Sequence, residues 1–293
     1  MDLLRSMLSI PATDEDRLRD ALSFGADAII LDLETVEPAE RERAREAARA
    51  ALPGLQHEHV RRWVRVNPSH EQLAKPDIRA VVSSELTGII LPRATSRNHV
   101  LYIEALLRDA EQMNGVKEGE TKLIPTIESA AGLLECQEIA RASRRIVALH
   151  FGAGEYSEDL GVTRTKGGHE LQFARSQVAL CARVAGVLAI DTAFTDVRDD
   201  VGLRADAEAA RTVGFHGKVA IDAAQVSVLN DLFRPTPEVV EYARRVMEAH
   251  EAAEAGLPAT IDGRVIDSAR AARARRIIDL VAAIEAREAQ AAI

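Results

Sequence analysis

Residues 122–155, KLIPTIESAAGLLECQEIARASRRIVALHFGAGE, decide how the rest of the chain is organised. An apolar run ends in an acid at Glu128, a helical pattern follows, and a second apolar run leads to an acid at Glu155. A strand–helix–strand unit of this length places two parallel strands side by side, with their carboxyl ends at the same edge. Two carboxylates at one edge suit a hard divalent cation such as Mg2+, which takes oxygen ligands and keeps positions open.

The same alternation of apolar run and amphipathic helix recurs along the chain. The runs predicted as buried strands are residues 4–10, 28–33, 63–66, 88–91, 123–127, 146–151, 187–191 and 218–222. Continuous apolar strands separated by helices are typical of a parallel sheet covered on both faces. This pattern predicts an α/β fold, a (β/α)8 TIM barrel with active-site loops at the carboxyl ends of its strands. A doubly wound open sheet is the alternative.

The predicted barrel occupies residues 1–232 and leaves residues 233–293 for a C-terminal helical extension. Because this segment is short for an independent domain, we expect it to pack on the barrel or on a neighbouring subunit. Within the barrel, residues 154–169 are too polar for a core element and are predicted to form a loop over the site.

The composition indicates an acidic globular protein with enough apolar residues for a large core. Of the 293 residues, 47% are hydrophobic and 28% are charged, and the net charge is −9. There is no long basic tract, which argues against a nucleic acid partner, and no apolar run long enough to span a membrane. The amino-terminal residues lack the features of a secretory signal, so a cytoplasmic location is predicted. Cys136 and Cys181 form no metal-ligand motif and are predicted to be buried, reduced thiols.

Polar residues stand at or just beyond the ends of the predicted strands, which a barrel gathers into one mouth. They are Asp32, Glu34, Arg65, Arg93, Glu128, Glu155, Asp191 and Asp222. Each residue alone could be a helix cap or part of a surface ion pair, but their joint placement predicts an active site at the mouth of the barrel. Carboxylates for a cation, with a guanidinium beside them, suit a substrate with carboxylate or oxyanion character. His150 is either a supporting group of this site or a buried core histidine.

Short motifs of one known family follow one another along nearly the whole chain. They are Arg5-Ser6-Met7-Leu8, Gly25-Ala26-Asp27-Ala28-Ile29-Ile30-Leu31-Asp32-Leu33-Glu34, Arg65-Val66-Asn67, Leu91-Pro92-Arg93, Pro125-Thr126-Ile127-Glu128-Ser129, Phe151-Gly152-Ala153, Asp159-Leu160-Gly161, Phe173-Ala174-Arg175-Ser176, Asp191-Thr192, Thr195-Asp196, Gly214-Phe215, Gly217-Lys218 and Asp262-Gly263-Arg264-Val265-Ile266-Asp267. In this order they resemble the citrate lyase β-subunit family, within the HpcH/HpaI aldolase superfamily.

The resemblance implies a Mg2+-dependent barrel lyase that cleaves a β-hydroxyacyl thioester into an acetyl or acyl thioester and a 2-oxo acid. Citryl, citramalyl and malyl thioesters of coenzyme A or acyl carrier protein are the implied substrates. Matched by position, Glu128 and Glu155 are the implied metal ligands, and Arg65 holds the substrate's carboxylate or oxyanion. Asp32 and Glu34, at the end of the second strand, complete the predicted catalytic set around Arg65.

The resemblance also implies partners. Asp267, in the tail, is implied to reach a neighbouring subunit's site as an acid/base, in a homotrimer or hexamer. Separate α and γ citrate lyase subunits are further candidate partners. Binding the diphosphate of coenzyme A on an acidic protein needs local positive charge, for which Arg5, Arg164 and Lys166 are the candidates.

Three departures from the family pattern leave the activity open. Where the family usually reads Leu-Asp-Leu-Glu-Asp, Thr35 replaces the final acid, and where it usually reads Gly-Ala-Glu-Asp, Gly154-Glu155 stands instead. The usual His-Pro or Asn-Pro of the eighth strand is Asp222-Ala223. Two other functions therefore stay open: a metal-dependent aldolase acting on free 2-oxo acids, and a non-catalytic paralogue that serves as a binding subunit.

Overall fold

The predicted strands form a closed parallel barrel. This computed structural model describes residues 3–57, 59–69, 73–254, 260–261 and 264–291. The strands are β1 (Ser6–Pro11), β2 (Ala28–Asp32), β3 (Arg61–Arg65), β4 (Gly88–Leu91), β5 (Lys122–Ile127), β6 (Ala148–Phe151), β7 (Leu188–Asp191) and β8 (Gly217–Ala220). They follow one another around the barrel in chain order, and β8 closes it by pairing in parallel with β1. The predicted (β/α)8 fold is confirmed.

Helices follow the strands. They are α1 (Glu15–Asp20), α2 (Arg41–Ala51), α3 (Ala74–Val81), α4 (Arg97–Asn114), α5 (Ala130–Leu134), α6 (Cys136–Ala140), α7 (Ala153–Leu160), α8 (Gln172–Ala185), α9 (Asp200–Val213) and α10 (Ala223–Leu232), with 3-10 turns at Ala21–Phe24, Pro38–Glu40, Leu52–Leu55 and His169–Leu171. In α4, for example, the Ser96 hydroxyl caps the first turn, and Val100, Ile103 and Leu107 recur at helical spacing on its buried side.

The structure corrects the predicted loop at residues 154–169, because α7 occupies its first part. Ala153, Tyr156 and Ser157 stand at i, i+3 and i+4 and are buried, while the acidic residues of the helix are exposed. Gly161, with a φ of 67°, ends the helix in the left-handed region. The overall polarity of the segment concealed an amphipathic helix, which needs only one buried face.

An apolar layer fills the half of the barrel interior nearer the amino ends of the strands. It is formed by Leu4, Met7, Ala28, Ile30, Trp63, Ile90, Ile124, Ala148, Ile190 and Val219. Because successive side chains of a strand point to opposite faces, residues two positions further along the same strands also point inward. Asp32, Arg65, Thr126 and His150 are such residues, so a polar layer lies directly above the apolar one.

Leu3 and the described residues from Leu232 onward form one compact unit, and the described residues of 4–231 form another. In this C-terminal unit, α11 (Pro237–Glu254) packs on α12 (Ser268–Ala291), and β9 (Thr260–Ile261) pairs with β10 (Arg264–Val265). Its own core consists of Ala243, Val246, Met247, Ile261, Ile266 and Ala274. The packing of this extension on a neighbouring subunit stays a prediction.

Two further features bear on the predictions from composition. Cys136 and Cys181 are buried, and neither forms a disulfide. Across the part of the chain that the structure describes, no helix is long and apolar enough to cross a membrane.

Candidate active site at the mouth of the barrel

An ion pair between adjacent strands organises one side of the barrel mouth. Asp32 at the end of β2 lies in register with Arg65 at the end of β3. The guanidinium donates from Nε to Asp32 Oδ1 at 2.8 Å and from Nη2 to Asp32 Oδ2 at 2.5 Å. Glu34 brings its Oε2 to 3.4 Å from Arg65 Nη1. Thr35, which stands where the family usually has an acid, donates its hydroxyl to Asp32 Oδ2 at 2.6 Å.

The two acids beside Arg65 differ in protonation. Burial alone would raise the pKa of Asp32, but the hydrogen bonds and charge of Arg65 hold that pKa below its usual value. Burial raises the pKa of Glu34 to about 7; the charge of Arg65 opposes this shift, whereas those of Asp32 and Glu155 add to it. Asp32 is therefore ionised and holds Arg65 in place, whereas Glu34 can exchange a proton near neutral pH.

Glu128 follows β5 directly and is only 6% exposed. Its Oε1 accepts a hydrogen bond from the backbone N–H of Arg93 at 2.5 Å. Arg93 has a φ of 52°, in the left-handed region that non-glycine residues rarely adopt. Strained backbone of this kind is retained where the surrounding structure requires it, and here it aims an N–H at the carboxylate.

The carboxylates of Glu34, Glu128 and Glu155 repel one another. Burial, reinforced by the charges of Glu34 and Glu155, raises the pKa of Glu128 to about 8. Within the described ranges, no three His, Cys, Asp or Glu side chains form a cluster that could hold a metal ion by themselves. The donor chemistry fits a cation such as Mg2+, which takes one or two carboxylates, keeps several waters and would relieve this repulsion.

Gly152, between β6 and α7, leaves the space that Glu128 occupies. A Cβ atom at Gly152 would lie 2.4 Å from Glu128 Oε2 and 2.7 Å from Glu128 Cβ. At Gly154, by contrast, an added Cβ would meet nothing within 4 Å. Gly152 is thus sterically required for the observed position of Glu128, whereas Gly154 faces open space beside Glu155.

His150 lies in the polar layer of the barrel interior, next to Thr126 on β5. Its Nδ1 is 3.2 Å from Thr126 Oγ1, while its Nε2 is buried without a hydrogen-bond partner in the described structure. Burial, with the charges of Arg65 and Lys218, lowers the pKa of His150 to about 3, so the imidazole is neutral. A buried polar atom without a partner costs about 1–3 kcal/mol.

The barrel and its mouth lie within a segment that matches a known protein family. A family model described as HpcH/HpaI aldolase/citrate lyase matches residues 5–223. The chain belongs to this family. The predictions of the family, the barrel fold and the general lyase class are confirmed.

Several known proteins match nearly the full chain. Citrate lyase subunit beta of Haemophilus influenzae is 32% identical over 95% of this chain and 97% of that protein. A (3S)-malyl-CoA thioesterase of Cereibacter sphaeroides is 31% identical over 96% of both chains. A crystal structure of CitE from Mycobacterium tuberculosis, in complex with magnesium, acetoacetate and coenzyme A, is 28% identical, with a TM-score of 0.72, over 94% of this chain and 96% of that chain.

The structure places most of the site residues predicted from the sequence around the mouth of the barrel. Those that come together are Asp32, Glu34, Arg65, Glu128 and Glu155. Asp191 does not join them, because its carboxylate points out of the barrel and accepts from Arg175 on α8 at 2.9 and 3.0 Å. Asp222 accepts a hydrogen bond from the backbone N–H of Ala224 at the start of α10, at 2.9 Å.

Two of the three cations predicted to bind coenzyme A lie on the mouth side of the barrel. Arg164 and Lys166 belong to the segment that follows α7, beyond the carboxyl end of β6, and the Lys166 side chain is 81% exposed. Arg5 instead precedes β1 at the opposite end of the barrel. It is buried, with Nε 2.8 Å from Asp27 Oδ2. The direction of β1 thus separates Arg5 from the mouth, and we leave it out of the proposed site.

Asp267 belongs to the C-terminal unit and precedes α12. It is exposed, and its Oδ1 accepts a hydrogen bond from the backbone N–H of Arg270 at 2.8 Å. This contact caps the helix. Its action in a neighbouring subunit's site stays a prediction.

Sequence reasoning missed three contributors to the site. These are the backbone N–H of Arg93, the space at Gly152 and the hydroxyl of Thr126. The position of Gly152, between an apolar strand and an acid, could have indicated a close contact there, because glycine is favoured where another group approaches the backbone closely. Nothing in the sequence reveals the φ of Arg93.

Proposed function

We propose that the protein is a Mg2+-dependent carbon–carbon lyase that cleaves a β-hydroxyacyl thioester into an acetyl or acyl thioester and a 2-oxo acid. The observation that carries this proposal is the buried Glu128, oriented by the Arg93 N–H beside two other glutamates and Arg65. Glu128 and Glu155 are the proposed ligands. The solved CitE relative, which holds magnesium, acetoacetate and coenzyme A, supports this choice of cofactor and substrate class.

The reaction requires a proton transfer and a shift of an electron pair, and the residues at the mouth of the barrel can assist both. The β-hydroxyl loses its proton as the adjacent carbon–carbon bond breaks, and the electron pair moves to the thioester, whose enolate is then protonated. Glu128 and Glu155 would hold the Mg2+, which would stabilise negative charge on the hydroxy-acid oxygens. Arg65, fixed by Asp32, is placed to bind the carboxylate of the same half of the substrate.

Glu34 is the proposed proton acceptor for the substrate hydroxyl. Its pKa of about 7 suits a general base that works near neutral pH. Asp32 is a weaker base, because Arg65 holds its pKa below the usual value and both of its carboxylate oxygens already accept hydrogen bonds. Protonation of the enolate is assigned to Asp267 of a neighbouring copy, consistent with its exposed position in the C-terminal unit.

The proposed substrate carrier is coenzyme A, with acyl carrier protein as the alternative. Arg164 and Lys166 are the proposed contacts for its phosphates. The proposed assembly is a homo-oligomer, a trimer or hexamer, in the cytoplasm, with citrate lyase α and γ subunits as further candidate partners. Size-exclusion chromatography with light scattering tests the assembly, and a monomer would contradict the role of Asp267.

A thioester panel tests the proposed reaction. Citryl-, citramalyl- and malyl-CoA are incubated with the protein and Mg2+, and release of the 2-oxo acid is followed together with release of free thiol. We expect one of them to yield a 2-oxo acid without free thiol, and EDTA to stop the reaction. The absence of turnover on the whole panel would contradict the proposal and favour a binding subunit. Cleavage of free hydroxy-oxo acids at an equal rate would favour an aldolase.

Thioester hydrolysis is a second candidate. It is favoured by the 31% identity to a (3S)-malyl-CoA thioesterase over 96% of both chains. Hydrolysis would release free thiol and the intact hydroxy acid, so the same panel separates it from carbon–carbon cleavage.

Gly152→Ala is expected to weaken Mg2+ binding by about tenfold or more, because the new methyl group would displace Glu128. Isothermal calorimetry with Mg2+ measures this effect directly. Gly154→Ala is the matched control, since an added Cβ there meets nothing within 4 Å. Equal Mg2+ affinities for the two variants would show that Glu128 is not a ligand or that the site tolerates its displacement.

A further inference from the structure

The Nε2 atom of His150 has no hydrogen-bond partner in the described structure. His150 is aligned with Thr126 on β5 and with Ile190 on β7, one inward position below Gly152. Nε2 lies at the end of the imidazole ring away from Cβ. Since the side chain points inward from β6, Nε2 points away from the strand and into the barrel, beneath Glu128.

The hydrogen bond between the Thr126 hydroxyl and His150 Nδ1 is coupled to the tautomer of the ring: the hydroxyl accepts when Nδ1 carries the proton and donates when Nε2 carries it. The Thr126 hydroxyl has one side-chain contact in the described structure, with His150 Nδ1 at 3.2 Å. When the hydroxyl donates to Nδ1, the proton of the neutral ring resides on Nε2. His150 then presents a single neutral N–H donor towards the interior.

The surroundings distinguish this histidine from an ordinary buried side chain. Among the described residues, the indole N–H of Trp63 also has no partner, but Trp63 belongs to the apolar layer beneath. His150 lies above that layer, with Nε2 itself buried, and is close enough to Arg65 for the guanidinium charge to act on its ring. Buried polar groups in native proteins are satisfied by protein, water or ligand, so an acceptor oxygen is the matching group for Nε2–H.

We propose that His150 Nε2–H donates a hydrogen bond to an oxygen of the substrate's hydroxy-acid half, and of the 2-oxo acid formed from it, at the floor of the mouth. This inference rests on the proposed function and adds a substrate-contacting residue to it. Arg65 and His150 then bind the same anionic half from two sides, one by charge and the other by a directional neutral donor.

Calorimetric binding of pyruvate and of glyoxylate at saturating Mg2+ tests the inference without turnover. His150→Met and His150→Gln are a matched pair of equal length, and the Gln side chain keeps a donor. We expect His150→Met to weaken the binding of both 2-oxo acids by roughly tenfold or more. The affinities of His150→Gln should stay within about threefold of those of the wild type. Affinity for coenzyme A should be the same in all three proteins.

Thr126→Val provides a second variant, because it frees the ring to place its proton on either nitrogen. We expect it to weaken pyruvate binding by a few fold, with His150 still present. Wild-type affinity in His150→Met, or a loss in His150→Gln as large as in His150→Met, would overturn the inference and leave the lyase proposal intact. Failure of the wild-type protein to bind any of pyruvate, glyoxylate and oxaloacetate, the 2-oxo acids that the three proposed substrates would release, would overturn both.

Discussion

Replacing Glu128 by glutamine is expected to lower kcat/KM for thioester cleavage by at least about a hundredfold, because loss of a metal ligand should cost no less than loss of its supporting contacts. The amide oxygen of Gln can still accept from the Arg93 N–H, so the shape of the site is kept while its charge is lost. Turnover measured across a Mg2+ titration tests this. Glu158→Gln, an exposed position on α7, is the control, and unchanged turnover in Glu128→Gln would contradict the assignment.

The same variant should change the pH dependence of stability in EDTA. The pKa of Glu128 rises from its ordinary value of 4.5 to about 8 in the folded protein. Between these values the folded state binds more protons than the unfolded state, so stability falls as pH rises through this window. Glu128→Gln removes this loss and should exceed the wild type in stability above pH 8. Urea denaturation at a series of pH values measures it, and parallel wild-type and variant curves would contradict the shift.

Replacing Lys218 by methionine is expected to destabilise the fold by about 3–5 kcal/mol, because it leaves a buried charge without its partner. Lys218 Nζ lies 2.5 Å from Asp191 Oδ2 and 2.6 Å from Asp206 Oδ2. Arg175 contacts the same two aspartates at 2.9 and 2.7 Å. Two cations and two anions therefore balance one another between the strands and α8 and α9. Chemical denaturation measures the change in unfolding free energy.

Lys166→Met is the matched control for this second prediction. Lys166 also pairs with two aspartates, Asp199 at 3.0 Å and Asp196 at 3.8 Å, but its side chain is 81% exposed whereas that of Lys218 is 0% exposed. Exposed ion pairs contribute little, so a much smaller change in unfolding free energy is expected than for Lys218→Met. Equal losses of unfolding free energy in Lys218→Met and Lys166→Met would contradict the prediction that the buried ion pairs of Lys218 stabilise the fold.

This buried cluster also shows where sequence reasoning failed. Asp191 and Asp32 both end apolar strands, and the sequence assigned both to the mouth. Asp32 follows the inward Ile30 by two positions, whereas Asp191 follows the inward Ile190 by one. Because strands buried on both faces show no alternation of polar and apolar residues, their sequence does not tell which face a terminal acid takes. Arg175 and Lys218, which belong to the motifs of the family resemblance, likewise serve the outer cluster.

The sequence by itself determined the order of the eight barrel strands, the barrel and the positions of Arg65, Glu128 and Glu155 near strand ends, although it missed α7. Apolar runs, helical spacing and chain direction are local properties, so they can be identified without neighbours. The tertiary structure alone decided that Asp191 turns outward, that Arg5 lies at the far end and that Arg93 offers its N–H to Glu128. It also decided the raised pKa values of Glu34 and Glu128, and it left His150 Nε2 without a hydrogen-bond partner among the described residues. These depend on strand register and barrel closure, which bring residues distant in sequence into contact and remove them from water.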